Sequence, residues 1–176
     1  GKPLDGIPFH PYYVVKDFLA VLVFFILFFA VVFFFPDMGG YFLEPANFMQ
    51  ANPLVTPEHI TPIWYMTPFY AMLRAIPNKV LGVLIMNGSL WILFFLPWLD
   101  KSPVRSMRYK GIYSKTALRA LVFSFITLGY LGAQPVTLAS LWIARGCIVL
   151  YFSYFLFMPL YTRVERCKSV PARILK

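Results

Sequence analysis

Phe18–Phe35, F-L-A-V-L-V-F-F-I-L-F-F-A-V-V-F-F-F, holds eighteen residues without one charge. As a helix rising 1.5 Å per residue it covers about 27 Å, close to the hydrocarbon thickness of a bilayer. Pro36-Asp37 and Gly39-Gly40 close it. The whole chain agrees with that one run. Of its 176 residues 60% are hydrophobic, 19% aromatic and only 13% charged, with mean hydropathy +0.69; a soluble domain is nearer half apolar and a quarter charged. This is the composition of an integral membrane protein.

Working outward, three more apolar runs are expected to cross. Val80–Leu99 is twenty uncharged residues closed by Asp100. A third run starts near Thr116 and ends at Gln134-Pro135, and a fourth starts near Leu138 and reaches about Thr162. The short turn between the last two predicts a tight helical hairpin. The expected fold is all-α, a single membrane domain over residues 1–176, with spans at about 17–36, 79–99, 116–134 and 138–162. No internal repeat or low-complexity segment is visible. No cleavable signal is visible in Gly1–Lys16 either, and a first residue of Gly fits a processed chain or the latter part of a longer one.

Between the first two runs lies a long connection, from Pro36 to about Asn78. Connections of that length are usually functional or disordered, and the aromatics here argue against disorder. Its decisive part is Pro57–Lys79, P-E-H-I-T-P-I-W-Y-M-T-P-F-Y-A-M-L-R-A-I-P-N-K. Pro57, Pro62, Pro68 and Pro77 stiffen it and rule out a membrane span. Trp64, Tyr65, Phe69 and Tyr70 make it too apolar for a solvated linker. Two readings stand: an interfacial aromatic belt, or a lid or wall for a flat apolar ligand.

The +9 net charge is distributed unevenly. Four spans place both termini and the Asp100–Arg119 loop on one side. That side carries Lys2, Lys16, Lys101, Arg105, Arg108, Lys110, Lys115, Arg119, Arg163, Arg166, Lys168, Arg173 and Lys176, which is 13 of the 16 basic residues. By the positive-inside rule it is cytoplasmic or matrix, and Pro57–Lys79 faces the opposite compartment. This asymmetry accounts for the charge without nucleic acid. Arg145 is the one cation deep in an apolar run, at a cost of about 2.5–3.5 kcal/mol on insertion scales. It is expected to snorkel outward or to join a structural ion pair; the functional alternative is a partner for an acidic group or a bound cofactor. Cys147 and Cys167 have no metal-site or disulfide spacing.

Several motifs in order resemble the cytochrome b family, the membrane subunit of the quinol:cytochrome c oxidoreductase or bc1 complex. P-I-W-Y at Pro62–Tyr65, the following P-F-Y and then L-R-A-I-P-N-K look like its P-E-W-Y region. I-P-F-H-P-Y-Y-V-V-K-D (Ile7–Asp17), A-N-P-L-V-T-P (Ala51–Pro57), G-A-Q-P-V (Gly132–Val136) and L-Y-F…M-P-L (Leu150–Leu160) also match. The likeness covers nearly the whole chain and is to the last four helices of the family. It implies two quinone sites. Pro62, Ile63, Trp64, Tyr65, Met66 and Phe69 would line the quinol-oxidation site, where ubiquinol gives one electron to the Rieske iron–sulfur protein and one to the low-potential haem. Lys79 falls on the Rieske docking surface, or else is an ordinary helix-flanking anchor. Lys16 and Asp17, with Phe9 and His10, would form the quinone-reduction site, a carboxylate beside a cation being able to deliver protons to a reduced quinone. The plainer reading is that Lys16-Asp17 caps the helix.

The family's two b-type haems need paired histidines within membrane helices. This chain has only His10 and His59, outside the apolar runs, so a haem-binding N-terminal half is an implied partner, beside the Rieske protein, cytochrome c1 and a second copy of the complex. Ile63 stands where the family usually has a glutamate that takes a quinol proton. Isoleucine has no donor or acceptor, which leaves Glu58, His59 or Tyr65 as local candidates; Glu58 and His59 also read as ordinary loop groups. The departure points to a bacterial inner membrane, with cytoplasmic termini and a periplasmic Pro57–Lys79 loop. The competing readings are a non-redox membrane subunit, transporter half or scaffold, and subunit IV of a b6f-type complex, which usually has three spans.

Overall fold

A computed structural model describes residues 6–57 and 60–171, the side chain of Pro45 apart. Glu58 and His59 lie outside the described residues, as do Lys2, Arg173 and Lys176 of the charge balance. All regular structure among the described residues is helical. Contacts divide the chain into two compact units, residues 1–58 and 59–176.

The first unit is built on α1, Tyr12–Phe34. It begins five residues before the expected start at 17, with Pro11 as the residue before its first turn. Tyr-Tyr-Val-Val is a weak helix former, but a segment entering hydrocarbon must bond its own backbone, so the helix starts as soon as proline allows. It ends where the Phe35 amide donates to the Val31 carbonyl at 2.9 Å, one residue before Pro36. Phenylalanines four apart stack along it, Phe25 on Phe29 at 5.6 Å and Phe29 on Phe33 at 5.8 Å. No residue of α1 is buried within this unit.

The second unit holds a 3-10 turn at Trp64–Met66, α2 (Thr67–Ala75), α3 (Lys79–Leu99), α4 (Ile112–Ala133), α5 (Leu138–Leu156) and α6 (Met158–Val164). Helix α3 runs as expected. The Asn78 side chain caps it, its Oδ1 accepting from the Val80 and Leu81 amides at 3.0 and 3.2 Å. It tightens to 3-10 geometry at Ile92–Phe95, because Pro97 has no N–H and its ring crowds the Leu93 carbonyl.

Helix α4 starts at Ile112, one turn before the expected Thr116. The tail residue Glu165 explains this: its carboxylate accepts the Ser114 amide at 3.1 Å and the Ser114 hydroxyl, satisfying one of the free backbone donors of the first turn. Lys115 and Arg119 therefore sit on the helix, near enough to its end to keep their charges outside the hydrocarbon. The expected hairpin follows. Thr137 and Ser140 form a reciprocal capping box at 2.9 and 3.1 Å that turns the chain from α4 into α5. Helix α5 stops at Leu156 rather than near Thr162, since Pro159 cannot continue it; the chain bends at Phe157 and resumes as α6.

The core of this unit lies among α2, α4 and α5, where Met72, Leu128, Tyr151 and Phe155 are buried. Buried Ser89 and Ser124 turn their hydroxyls back to the carbonyls three residues earlier, Met86 at 2.6 Å and Leu121 at 2.8 Å. The Tyr151 hydroxyl donates to the Ser89 carbonyl at 2.8 Å and ties α5 to α3. Among the described residues four helices, α1, α3, α4 and α5, are long and apolar enough to cross a membrane.

Candidate functional site

The proline-aromatic stretch folds around one turn. The Met66 amide donates to the Ile63 carbonyl at 2.8 Å, and the Thr67 hydroxyl closes on the Trp64 carbonyl at 2.6 Å. Pro68 then occupies the first turn of α2, where its missing N–H has no helical partner to lose. Thr67, Pro68, Ala71, Met72 and Ala75 form the buried face of α2, packed chiefly on α4 and also on α3 and α5. Two close approaches make this possible. A methyl group on Gly132 of α4 would overlap the Thr67 carbonyl, and one on Gly82 of α3 would come within 2.9 Å of the Leu73 carbonyl.

With α2 so anchored, the motif side chains divide. Phe69 is half-buried and meets the edge of Phe125 at 5.8 Å between ring centres; Pro62 is half-buried too. Ile63, Trp64, Tyr65 and Met66 are exposed, Trp64 at 81%, with Trp64 and Tyr65 edge to face at 5.6 Å. The arrangement is an apolar ledge on a rigid base. Its exposed surface offers stacking faces, one phenol hydroxyl and no acid or base at position 63.

Two arginines bolt that base in place. The Arg74 Nη2 donates to the carbonyls of Leu131 (2.6 Å) and Gln134 (3.0 Å) at the end of α4, and its guanidinium lies 4.8 Å from the Tyr70 ring centre. Arg145 Nε donates to the Ala75 carbonyl, the last of α2, at 2.9 Å, with its guanidinium 4.8 Å from the Trp142 ring. Both cations thus meet the negative ends of helices. The ion pair expected as one possibility for Arg145 is replaced by a carbonyl and an aromatic face. A charged hydrogen bond of about 1.5–3 kcal/mol plus about 0.5–2 from the ring offsets an insertion cost of about 2.5–3.5. The residue is therefore near neutral for stability while it fixes the position of α2. Arg74 carried no expectation from the sequence. Its position at the end of a short amphipathic stretch, just before Pro77, was the available signal.

Lys79 is exposed at the first position of α3. A cation there opposes the helix dipole, so local helix energetics do not account for it.

In the first unit, Phe9 and His10 are exposed in the turn before α1, and the Phe9 carbonyl accepts the Tyr13 amide at 3.0 Å. Lys16 and Asp17 are not ahead of the span but inside the helix, both exposed, with the Lys16 ammonium 5.8 Å from the Tyr13 ring centre. The capping reading of this pair is excluded: the residue before the helix is Pro11, five and six positions earlier. Lys16 and Asp17 form no ion pair with one another. Among the described residues no group of His, Cys, Asp and Glu is placed to hold a metal ion, and His10 sits in an exposed turn.

The fold and ledge define a class: an all-α integral membrane protein whose long helices frame a braced, proline-stiffened aromatic surface. Residues 50–152 match the family described as "Cytochrome b(C-terminal)/b6/petD". The chain is 53% identical over 176 residues to "Cytochrome b" of Allochromatium vinosum, covering 98% of this chain and 42% of that protein. It is 45% identical over 173 residues to "Cytochrome b" of Rhodospirillum rubrum, with 98% and 42% covered. Among solved structures it resembles a chain of "Hyperthermophilic respiratory Complex III" with TM-score 0.83 and 34% identity, covering 94% of this chain and 41% of that one. The chain belongs to the cytochrome b family and corresponds to its C-terminal part. It spans about two fifths of the length of the relatives it matches.

Proposed function

We propose that this chain, acting as one membrane domain over residues 1–176, forms the quinone sites of a bc1-type quinol:cytochrome c oxidoreductase. A polypeptide corresponding to the family's N-terminal half holds both b-type haems. The observation that carries this reading is the ledge: Ile63–Met66 are exposed on a base that buried small residues and two arginines hold rigid. Ubiquinol lies against Trp64, Tyr65 and Met66, with Pro62 fixing the backbone and Phe69 packing the wall from beneath. Holding the ring flat against a preset surface costs little ordering on binding. Ile63 takes no part in proton transfer, and the proton of quinol oxidation leaves through Glu58, His59 or the Tyr65 hydroxyl. Lys79 meets the mobile head of the Rieske protein, and cytochrome c1 completes the dimeric complex.

The second site uses Asp17 as the proton donor to reduced quinone and Lys16 to balance the charge, with Phe9 and His10 beside them. The chain lies in a bacterial inner membrane with its basic side cytoplasmic and Pro57–Lys79 periplasmic. Four helices of spanning length favour the bc1 type over a three-span b6f subunit. The first two show few polar groups of the kind transporters place at midplane beyond Asn87-Gly88-Ser89.

The test is quinol-dependent cytochrome c reduction by the purified assembly. Tyr65→Ala is expected to lower it at least tenfold, while the b-haem spectrum of the assembly stays intact. Unchanged turnover, or purification of this chain with no haem-bearing companion, overturns the reading. Glu58→Gln with an unaltered pH profile removes Glu58 from the proton path.

A further inference from the structure

We propose that the start of α4 binds the phosphate headgroup of an anionic phospholipid, whose chains run along the exposed apolar face of the same helix. A cavity of about 400 Å³ there is lined by Lys115, Arg119, Arg166 and Lys168, with Lys110 and Gly111 behind them. The local carboxylates are already committed. Asp100 pairs with the ammonium of Lys110, which is only 6% exposed. Glu165 is 8% exposed and spends both oxygens on Ser114. Lys115, Arg119, Arg166 and Lys168 remain around one small space, and against the single charge that Glu165 keeps they leave a positive excess. Their mutual repulsion does nothing to stabilise the chain alone, whereas a phosphate among them relieves it.

The cluster is a built site rather than a loose basic tail. The Lys168 amide donates to the Tyr109 carbonyl at 2.7 Å. A methyl group on Gly111 would come within 2.7 Å of the Arg166 carbonyl, so glycine lets the tail lie against the start of α4. Arg166 and Lys168 are thereby set opposite Lys115 and Arg119, which are one turn apart.

The rest of α4 selects the source of the phosphate. Lys115, Arg119, Val122, Ile126 and Tyr130 follow spacings of four, three, four and four, and so share one helix face. Val122, Ile126 and Tyr130 are exposed, at 48%, 66% and 66%. Beyond the cations the face is apolar for about 16 Å, at 1.5 Å per residue from Arg119 to Tyr130. A cationic pocket at a span's end, continued by a bare apolar stripe, is the profile of an amphiphile. Free phosphate has no use for the stripe. Basic pockets of this kind at the ends of spans recruit anionic headgroups.

The test is native mass spectrometry of the detergent-purified assembly, titrated separately with dioleoylphosphatidylglycerol, dioleoylphosphatidylcholine and inorganic phosphate. Phosphatidylglycerol is expected to bind at least tenfold tighter than phosphatidylcholine and to resist displacement by a hundredfold excess of inorganic phosphate. K115Q/R119Q is expected to weaken it roughly thirtyfold, about fivefold for each cation near an anionic headgroup. R105Q/R163Q removes the same charge outside the pocket and is expected to change binding less than threefold. Each variant's thermal unfolding midpoint is read alongside. Equal affinity for the two lipids, equal losses in the two double variants, or displacement by inorganic phosphate mole for mole overturns the proposal.

Discussion

Helix α1 and helix α2 both carry candidate quinone residues, and they are held in opposite ways. Helix α2 is nine residues long, too short to be stable by itself; it is fixed by small-residue contacts to α3 and α4 and by two arginines. Helix α1 is long and apolar, yet none of its side chains is buried within the first unit. The ledge of Ile63–Met66 is therefore preorganised by this chain alone. The candidate site at Lys16 and Asp17 is carried on a helix whose side chains find no buried place within its own unit. The two sites should respond differently to change: the ledge through packing within this chain, the second site through its own chemistry and its surroundings.

The contrast can be broken most severely at Gly132. A Gly132→Val side chain is driven into the Thr67 carbonyl, which displaces α2; a shift of about 1 Å in a reacting group's support can cost about a hundredfold. Quinol-dependent cytochrome c reduction is expected to fall at least that much, and a variant with normal rates would show that α2 does not position the ledge. Asp17→Asn should touch only the other site. Removing a general acid costs about a hundredfold or more, expected in the reduction of haem by quinol at that site, with the unfolding midpoint unmoved because Asp17 is exposed. Loss in both half-reactions would erase the distinction.

Arg145→Met sharpens the comparison at smaller scale. It removes the bond to the Ala75 carbonyl but also the cost of a half-buried cation in an apolar run. The net destabilisation is expected to be about 1 kcal/mol, a fall of about 2–4 °C in the midpoint. Quinol oxidation should suffer more than stability does, and equal losses would make Arg145 a purely structural residue. Smallest of all, Lys79→Gln is expected to flatten the salt dependence of cytochrome c reduction with a change of a few-fold in rate. No change leaves Lys79 as an interfacial anchor.

The four apolar runs were readable because a bilayer demands about twenty uncharged residues at a stretch, and Val80–Leu99 matches α3 almost residue for residue. Ends were harder to read. Hydropathy locates the hydrocarbon, whereas helices end where capping and proline decide, which is why α1 and α4 start early and α5 stops at Leu156. The aromatic stretch was legible as stiff, but its buried face was not, because Ala71, Ala75 and Gly132 matter by being small. Arg74 and Arg145 were legible as charges only. Their partners are backbone carbonyls, which leave no trace in side-chain spacing.

The most direct test of the preorganised ledge is photolabelling of the intact assembly with an azido-substituted quinone, followed by peptide mapping. The account predicts label on residues 62–69, displaced by excess ubiquinol and reduced by Gly132→Val while labelling near Asp17 persists. Label that avoids residues 62–69, or that stays on them regardless of competing quinol, contradicts it.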